Sequence, residues 1–159
     1  MSQLQRKIKT KLGDWYLIAS GKGLQSILRE KQDISSNHKN PKATQFLDQA
    51  EEEINQYFSG RLKEFKVPLD IQGTEFQKKV WRQLSKIPYG ETCSYQDIAT
   101  KIKQPKACRA VGTANGKNPL SIIIPCHRVI TADGKLGGYS GGLNTKTKLL
   151  AIEGVKTKF

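Results

Sequence analysis

The residues most able to do chemistry lie together at positions 125–130. Cys126 is followed directly by His127 and Arg128. A free cysteine has a pKa of about 8.5, so a nucleophilic cysteine needs a base or a positive environment to form its thiolate at neutral pH. The neighbouring imidazole and guanidinium could supply these. The alternative is that Cys126 is a small buried residue and His127 a hydrogen-bonded core residue, because adjacent side chains usually diverge.

Two residues farther along the chain could complete such a site. Glu153 is the only acid after Asp133 and could orient His127, as the third member of a relay orients a base; otherwise it is a solvated glutamate at a helix end. Tyr139, in the glycine-rich segment 137–142, could cover a pocket or be an ordinary loop aromatic. These glycines lack the strand–GxGxxG–helix context of a nucleotide fingerprint, so no phosphate-containing cofactor is expected.

Length and composition limit the class of protein. The chain has 159 residues, 36% of them hydrophobic, enough for one compact unit or two small ones. No apolar run approaches the roughly 20 residues of a membrane helix. Residues 1–11 are polar and basic, unlike a secretory signal. We therefore expect a cytoplasmic protein with no membrane partner.

The charge is concentrated in the second part of the chain. Residues 1–66 carry 12 basic and 8 acidic side chains, whereas residues 67–159 carry 15 and 6. Such a surplus indicates a polyanionic partner, with nucleic acid ahead of an anionic membrane because no amphipathic basic helix stands out; the alternative is a soluble surface rich in lysine.

The cysteine and histidine counts argue against disulfides and zinc. Three cysteines, with no C-x-x-C pair, and two histidines make a disulfide framework or a structural zinc site improbable. We expect free thiols in a reducing compartment, no metal and no cofactor.

The first third of the chain reads as scaffold. Residues 15–19 and 24–28 predict a hairpin across a glycine-containing turn. Asn40 and Pro41 predict the start of a helix that Gly60 ends. The acids of this helix are expected to face water: Asp48, Glu51, Glu52 and Glu53.

Helix signals are stronger in the second half. Thr74 with Gln77, and Ser94 with Asp97, have the spacing of capping boxes and predict two helix starts. A third helix is expected from Gln104-Pro105 to about Gly116. The short second and third helices read as a helix-turn-helix, although any helical hairpin can imitate that pattern. Residues 121–124 predict a buried strand, and residues 146–152 a closing helix.

Taken together, the ordered motifs of residues 73–154 resemble the O6-alkylguanine-DNA alkyltransferases, also called methylated-DNA–protein-cysteine methyltransferases. The first 66 residues match only in length and strand–helix layout. The resemblance implies an α+β fold with a strand–helix domain at 1–66 and a winged-helix-like, helix-turn-helix domain at 67–159. The motifs are PYGET (88–92), SY (94–95), RAVG (109–112), ANGKNP (114–119), IPCHRVI (124–130) and GGYSGG (137–142).

The resemblance also implies a reaction. Cys126 would take the alkyl group from O6 of guanine in one irreversible displacement. The substrate range would extend to O4-alkylthymine. His127 would withdraw the thiol proton through a water, Glu153 would hold His127, and Asn118 would brace the turn. The protein would be a single-turnover DNA repair methyltransferase.

The implied partner is double-stranded DNA carrying O6-alkylguanine, bound by a monomer through the minor groove with the target nucleotide flipped out. Arg109 would fill the vacated place in the base stack, and Tyr95 would help rotate the nucleotide and hydrogen-bond the base. Tyr139 and Ser140 would close the pocket. The remaining implied DNA contacts are Gln96, Ala110, Ala114 and Val129.

The chain departs from the family pattern in two places. Ser121 stands where many relatives have proline, and the zinc ligands found near the N-terminus of some animal relatives have no counterpart. Two rival functions remain: an alkyltransferase-like protein that binds damaged DNA without transfer, which Cys126 argues against, and a helix-turn-helix regulator. A papain-like protease is disfavoured because its local signature around the cysteine is missing.

Overall fold

The computed structural model describes residues 3–34, 39–139 and 142–156, and the chain divides into two compact units, residues 1–72 and 73–159. The domain boundary expected between residues 66 and 67 precedes this division and stays a prediction. Strands dominate the first unit and helices the second, which confirms the α+β class.

Over residues 3–34 and 39–72, the first unit consists of a three-stranded antiparallel sheet and one helix. The strands β1 (Leu4–Thr10), β2 (Gly13–Ala19) and β3 (Leu24–Leu28) lie in sequence order, and the helix α1 spans Pro41–Phe58. The hairpin of β2 and β3 is confirmed. The Asn40 side chain accepts the Ala43 N–H at 3.1 Å, so the predicted cap of α1 is confirmed as well.

Two features of this unit differ from expectation. Strand β1 is missed by the sequence because it is a polar edge strand in which Ile8 is the buried residue, opposite Trp15. Glu53, expected to face water, is 9% exposed, and its carboxylate accepts the backbone N–H groups of Lys66 and Val67 at 2.9 and 3.1 Å. A buried carboxylate is tolerated there because it satisfies the turn that follows α1.

In its described residues, the second unit is built from four α-helices and a small parallel pair of strands. Its helices are α2 (Glu75–Leu84), α3 (Tyr95–Lys101), α4 (Cys108–Gly116) and α5 (Leu143–Ile152). Strand β4 (Cys93–Ser94) pairs with β5 (Val129–Ile130), which places the start of α3 beside the segment that follows Cys126.

Both predicted capping boxes of this unit are confirmed, at Thr74 with Gln77 and at Ser94 with Asp97. Helix α4 begins later than predicted. Ala107 is its N-cap and offers no side-chain cap, and the Gln104–Ala107 segment forms a turn instead. Helices α3 and α4 are the helix-turn-helix pair.

The buried strand predicted at residues 121–124 is wrong. This segment is a run of turns in which Ile122 has a φ of 77°, a left-handed conformation that β-branched residues rarely adopt. Its burial was predicted correctly for Ile122 and Ile124, which are 1% and 0% exposed. Apolar composition indicates burial, but it does not separate a strand from a buried turn.

Within the described ranges, none of the helices is both long and apolar enough to cross a bilayer.

Candidate active site

Cys126 opens a short 3₁₀ turn, Cys126–Arg128, that leads into β5. The Cys126 N–H donates to the Ile124 carbonyl at 2.7 Å, and the residue is 1% exposed. The thiol is therefore held inside the second unit, and it needs assistance to ionise there.

Asn118 ties this turn to the end of α4. Its amide donates to the Ile124 carbonyl at 2.8 Å, and its side-chain oxygen accepts the Leu120 N–H at 2.9 Å. Hydrogen bonds from Asn118 and Tyr139 also favour the thiolate form of Cys126. Through these two hydrogen bonds Asn118 connects Leu120 and Ile124, which lie on either side of Ile122 and its strained backbone.

Glu153 lies at the end of α5 and gathers four donors on one carboxylate. His127 Nε2 lies 2.7 Å from Glu153 Oε2, and both side chains are 0% exposed. Arg128 Nε donates to Oε1 at 2.8 Å and Arg128 Nη2 to Oε2 at 3.0 Å, while the Gly90 N–H donates to Oε1 at 3.1 Å. The interpretation of Glu153 as a solvated residue is therefore wrong.

Arg128 and the 88–90 turn enclose this carboxylate. Arg128 Nη1 donates to the Ile87 carbonyl at 2.6 Å, and its guanidinium carbon lies 5.8 Å from the centre of the Tyr89 ring. The Tyr89 hydroxyl donates to the Ile152 carbonyl at 3.1 Å. The PYG motif, residues 88–90, therefore packs over Glu153 and does not line the cleft that Tyr95 borders.

Burial sets the protonation of the central pair. It raises the pKa of Cys126, although hydrogen bonds from Asn118 and Tyr139 and the charge of Lys146 oppose this. It lowers the pKa of His127 despite the Glu153 carboxylate, which pulls the other way. At neutral pH the site consequently holds a protonated thiol beside a neutral imidazole, which is the starting state for a base-assisted nucleophile.

The hydrogen bond to Glu153 selects the imidazole tautomer. A carboxylate only accepts, so the neutral ring carries its proton on Nε2 and leaves the Nδ1 lone pair available. Nδ1 is buried and has no hydrogen-bond partner among the described residues. The ring nitrogen able to take a proton is thus the one that Glu153 does not hold.

A cleft of about 330 Å³ lies between α3, α4 and the 137–139 segment. Tyr95, the first residue of α3, forms one wall, and Gly137 faces it so closely that a Cβ there would lie 3.0 Å from the Tyr95 hydroxyl oxygen. Tyr139 forms part of another wall and also reaches toward Cys126. The residues lining the cleft are Tyr95, Gly112, Asn115, Gly116, Thr131, Gly137, Gly138 and Tyr139.

The residues expected to contact DNA fall into two groups. Arg109 and Ala110 are exposed on the first turns of α4, and Gln96 is exposed on α3, where its amide donates to the Pro105 carbonyl at 2.8 Å. Ala114 and Val129 are buried, at 3% and 0% exposure. Contrary to expectation, their side chains therefore do not face a DNA groove. Ala114 instead accepts the Trp81 indole N–H on its carbonyl at 2.9 Å.

Ser140, expected in the pocket-closing loop, lies outside the described residues. Among the residues that the structure describes, no group of three or more His, Cys, Asp or Glu side chains is placed to hold a metal ion.

Sequence reasoning gave no role to Lys146 and considered Arg128 only as a positive charge near Cys126. Arg128 stood inside a recognised motif, and its position next to His127 was the available signal. Lys146 shares a helical face with Leu149, Leu150 and Glu153, at spacings of three, four and seven residues, and that spacing indicates burial. It is 0% exposed.

Comparison with known proteins gives consistent matches for both units. The family model for the 6-O-methylguanine DNA methyltransferase DNA-binding domain matches residues 75–155, and that for the ribonuclease-like domain of the same family matches residues 4–71. The methylated-DNA–protein-cysteine methyltransferase of Mycobacterium bovis is 48% identical over 93% of this chain and 90% of its own length.

Two further relatives agree. The methylated-DNA–protein-cysteine methyltransferase of Methanosarcina barkeri is 45% identical over 92% of this chain and 94% of its own. A crystal structure of Mycobacterium tuberculosis OGT in complex with DNA has a TM-score of 0.80 at 46% identity, over 94% of this chain and 91% of its own. The chain therefore belongs to the 6-O-methylguanine DNA methyltransferase family, as the resemblance of its motifs implied.

Proposed function

We propose that Cys126 receives the alkyl group in this chain, which repairs DNA by transferring that group from O6 of guanine to its own sulfur. The relatives are named for methyl transfer from DNA to a protein cysteine, and that activity is the activity of this chain. One observation supports Cys126 as the acceptor: it lies in one buried turn with His127, whose ring is held by Glu153 at 2.7 Å.

The other two cysteines lack such surroundings. Burial and the nearby Asp97 carboxylate raise the pKa of Cys93 to about 11. Cys108 begins α4, far from His127 and Glu153 in the sequence. Hydrogen bonds from Asn118 and Tyr139 and the positive charge of Lys146 act on Cys126 instead.

The reaction follows from the protonation states. The Cys126 thiol gives its proton, through a water, to Nδ1 of His127, while the Nε2 proton stays hydrogen-bonded to Glu153. The thiolate attacks the alkyl carbon as the bond from that carbon to O6 breaks. Guanine leaves with the bonding electrons and takes up a proton, so that the alkyl group replaces hydrogen on sulfur. No cofactor is required, and the protein is consumed because the thioether is stable.

DNA is the partner, and the helix-turn-helix is the proposed contact surface. The O6 atom lies within the base stack, so the nucleotide must be flipped out at a cost of a few kcal/mol. Arg109 on α4 would occupy the gap, Ala110 would allow a close approach to the minor groove, and Tyr95 and Tyr139 would receive the base in the cleft. The basic surplus of residues 67–159 would bind phosphates with strong salt dependence.

The proposal includes a monomer that acts in the cytosol, where a free thiol stays reduced.

Mass spectrometry tests the acceptor directly. The protein is mixed with a duplex containing one O6-methylguanine, and intact and peptide masses are measured. Wild type and the matched control Cys93→Ala should both gain one CH₂, on the peptide bearing Cys126, in proportion to the lesion supplied. Cys126→Ala should gain nothing and still bind the duplex.

Two outcomes would contradict the proposal. Stoichiometric methylation elsewhere would exclude Cys126 as the acceptor. Tight binding of the lesion by wild type without any added mass would make the chain a damage sensor, or a helix-turn-helix regulator if the lesion made no difference to affinity.

A further inference from the structure

Lys146 of α5 is a fully buried cation whose Nζ is bound by main-chain oxygens. The ammonium donates to the carbonyls of Val129 at 2.6 Å, Gly138 at 3.0 Å and Leu136. Lysine has three donors and no acceptor, so all three are used. Among the described residues it forms no ion pair.

Packing does not explain a cation at this position. Leucine or methionine would fill a similar volume without the electrostatic penalty of burying a charge. That penalty is visible in the pKa of Lys146, which burial lowers to about 8. Because burial of this ammonium is unfavourable and all three of its donors are used, we look for its role in the segments that these hydrogen bonds connect.

The three carbonyls belong to two separate segments of the chain. Val129 begins β5, immediately after the Cys126–Arg128 turn. Leu136 and Gly138 belong to the segment that precedes Tyr139 and places Gly138 on the cleft wall. Lys146 therefore connects the backbone that carries the thiol to the backbone that carries the tyrosine facing it.

Lys146 also acts on the thiol through its charge, because each of the two groups favours the charged form of the other. The other titratable or charged groups around Cys126 are accounted for. His127 is kept neutral by burial, and the charges of Arg128 and Glu153 compensate each other at 2.8 Å. Tyr95 is a neutral phenol at physiological pH, because burial raises its pKa. Within the described structure, the Lys146 ammonium is thus the positive charge acting on Cys126 that no carboxylate compensates.

We propose that Lys146 is a positioning residue for alkyl transfer: it fixes the 136–138 segment against the Cys126 turn, and its charge stabilises the thiolate that forms there. This inference rests on the proposed function for its biological meaning, but the effect on the thiol can be measured without DNA.

The test compares Lys146→Met, which removes donors and charge, with Lys146→Gln, which keeps two donors and removes the charge. Lys148→Met is the matched control, since Lys148 is exposed on the same helix. The rate of Cys126 alkylation by iodoacetamide is followed by peptide mass spectrometry from pH 6 to 10. Methyl transfer is then measured at a series of O6-methylguanine duplex concentrations.

Both variants should alkylate about tenfold more slowly at neutral pH, and the rate should recover when the pH is raised by about one unit, because the thiolate fraction sets the rate. In the transfer assay the maximal rate should fall about tenfold or more, with half-saturation by DNA unchanged. Lys146→Gln should lose less than Lys146→Met. Lys148→Met should behave as wild type.

A folded Lys146→Met with the wild-type pH profile would overturn the role of the charge, and equal transfer rates would overturn the positioning role. Loss of near-ultraviolet circular dichroism in both variants would also contradict the proposal, because Lys146 would then be required for folding alone. If the wild-type protein took up no methyl group from the duplex, the proposed function would be refuted. The iodoacetamide rates would still show whether Lys146 affects the Cys126 thiol.

Discussion

The carboxylate of Glu153 meets the imidazole of His127 at 2.7 Å, although the residues lie 26 positions apart in the chain. The same carboxylate takes a two-point contact from Arg128, so its negative charge is compensated inside the protein. Glu153 therefore performs two tasks at once. It fixes the ring so that Nδ1 is the nitrogen able to accept a proton, and it neutralises an arginine that would otherwise be buried alone.

Glu153→Gln should weaken both folding and transfer. The amide leaves the Arg128 charge uncompensated, and removing one partner of a buried pair costs about 3–5 kcal/mol. The free energy of unfolding, measured in urea, should fall by about that amount, and transfer should be strongly reduced at temperatures where the variant is folded. Glu91→Gln, at an exposed position of the same unit, should leave both unchanged. Equal stability of the two variants would contradict the network as described.

The lowered pKa of His127 gives the transfer rate and the stability a defined pH dependence. Unfolded His127 titrates near 6.5, whereas the folded protein takes up this proton only at lower pH. Below about pH 6.5 the unfolded state binds more protons, so stability should fall as the pH drops toward the folded-state pKa. Transfer should fall with protonation of the base. Urea midpoints at several pH values should show this dependence, and His127→Gln should flatten it; an unchanged slope in the variant would assign the effect to other groups.

The elements most accurately predicted from sequence are those with local rules. The Asn40 cap and the two capping boxes depend on residues three positions apart, so the sequence alone carries the full signal. Strand β1 escaped prediction because its partner strand, rather than its own composition, stabilises it. The turn at Ile122 escaped because a φ of 77° at a β-branched residue opposes local preference and is imposed by the Asn118 contacts.

The candidate site divides in the same way. Cys126 and His127 are adjacent and could be singled out. The pairing of His127 with Glu153 depends on how α5 packs against the turn, so local patterns left it as one of two interpretations and only the family resemblance favoured it. The burial of Lys146 was readable from its helical spacing, yet its three carbonyl partners come from two separate segments. Long-range contacts of this kind are set by tertiary packing, which single-sequence patterns do not encode.

Asn118→Ala should loosen the Cys126 turn. The change removes the hydrogen bonds to the Ile124 carbonyl and from the Leu120 N–H, and buried groups left unsatisfied cost about 1–3 kcal/mol. The strained Ile122 backbone, a conformation that costs about 1–3 kcal/mol, would then be free to relax and move the thiol. Transfer should decline more than stability alone accounts for. Asn144→Ala, exposed on α5, is the control in urea unfolding and single-turnover assays; parallel losses in the two variants would exclude a bracing role.

Arg109→Ala should impair transfer from fully paired duplex more than transfer from DNA in which the lesion is already unpaired. If Arg109 fills the vacated place in the stack, its value is greatest where flipping is most costly, and a mismatched base is cheaper to flip. Lys106→Ala, at an exposed position before α4, should instead weaken binding uniformly and reduce the salt slope by about one. Rates on paired and mismatched duplexes decide: an Arg109→Ala deficit of equal size on both would make Arg109 a phosphate contact.

Alkylation of Cys126 should destabilise the protein. The residue is 1% exposed and its sulfur lies among Asn118, Tyr139 and the 3₁₀ turn, so an added methyl group has to displace packed neighbours. Overpacking of this kind costs about 1–3 kcal/mol, and each kcal/mol lowers Tm by about 2–4 °C in a chain of this size. Thermal unfolding of the methylated protein, freed of DNA in high salt, should therefore begin several degrees below that of protein treated with undamaged duplex. Identical melting curves would contradict this prediction and show that the turn accommodates the methyl group without displacing its neighbours.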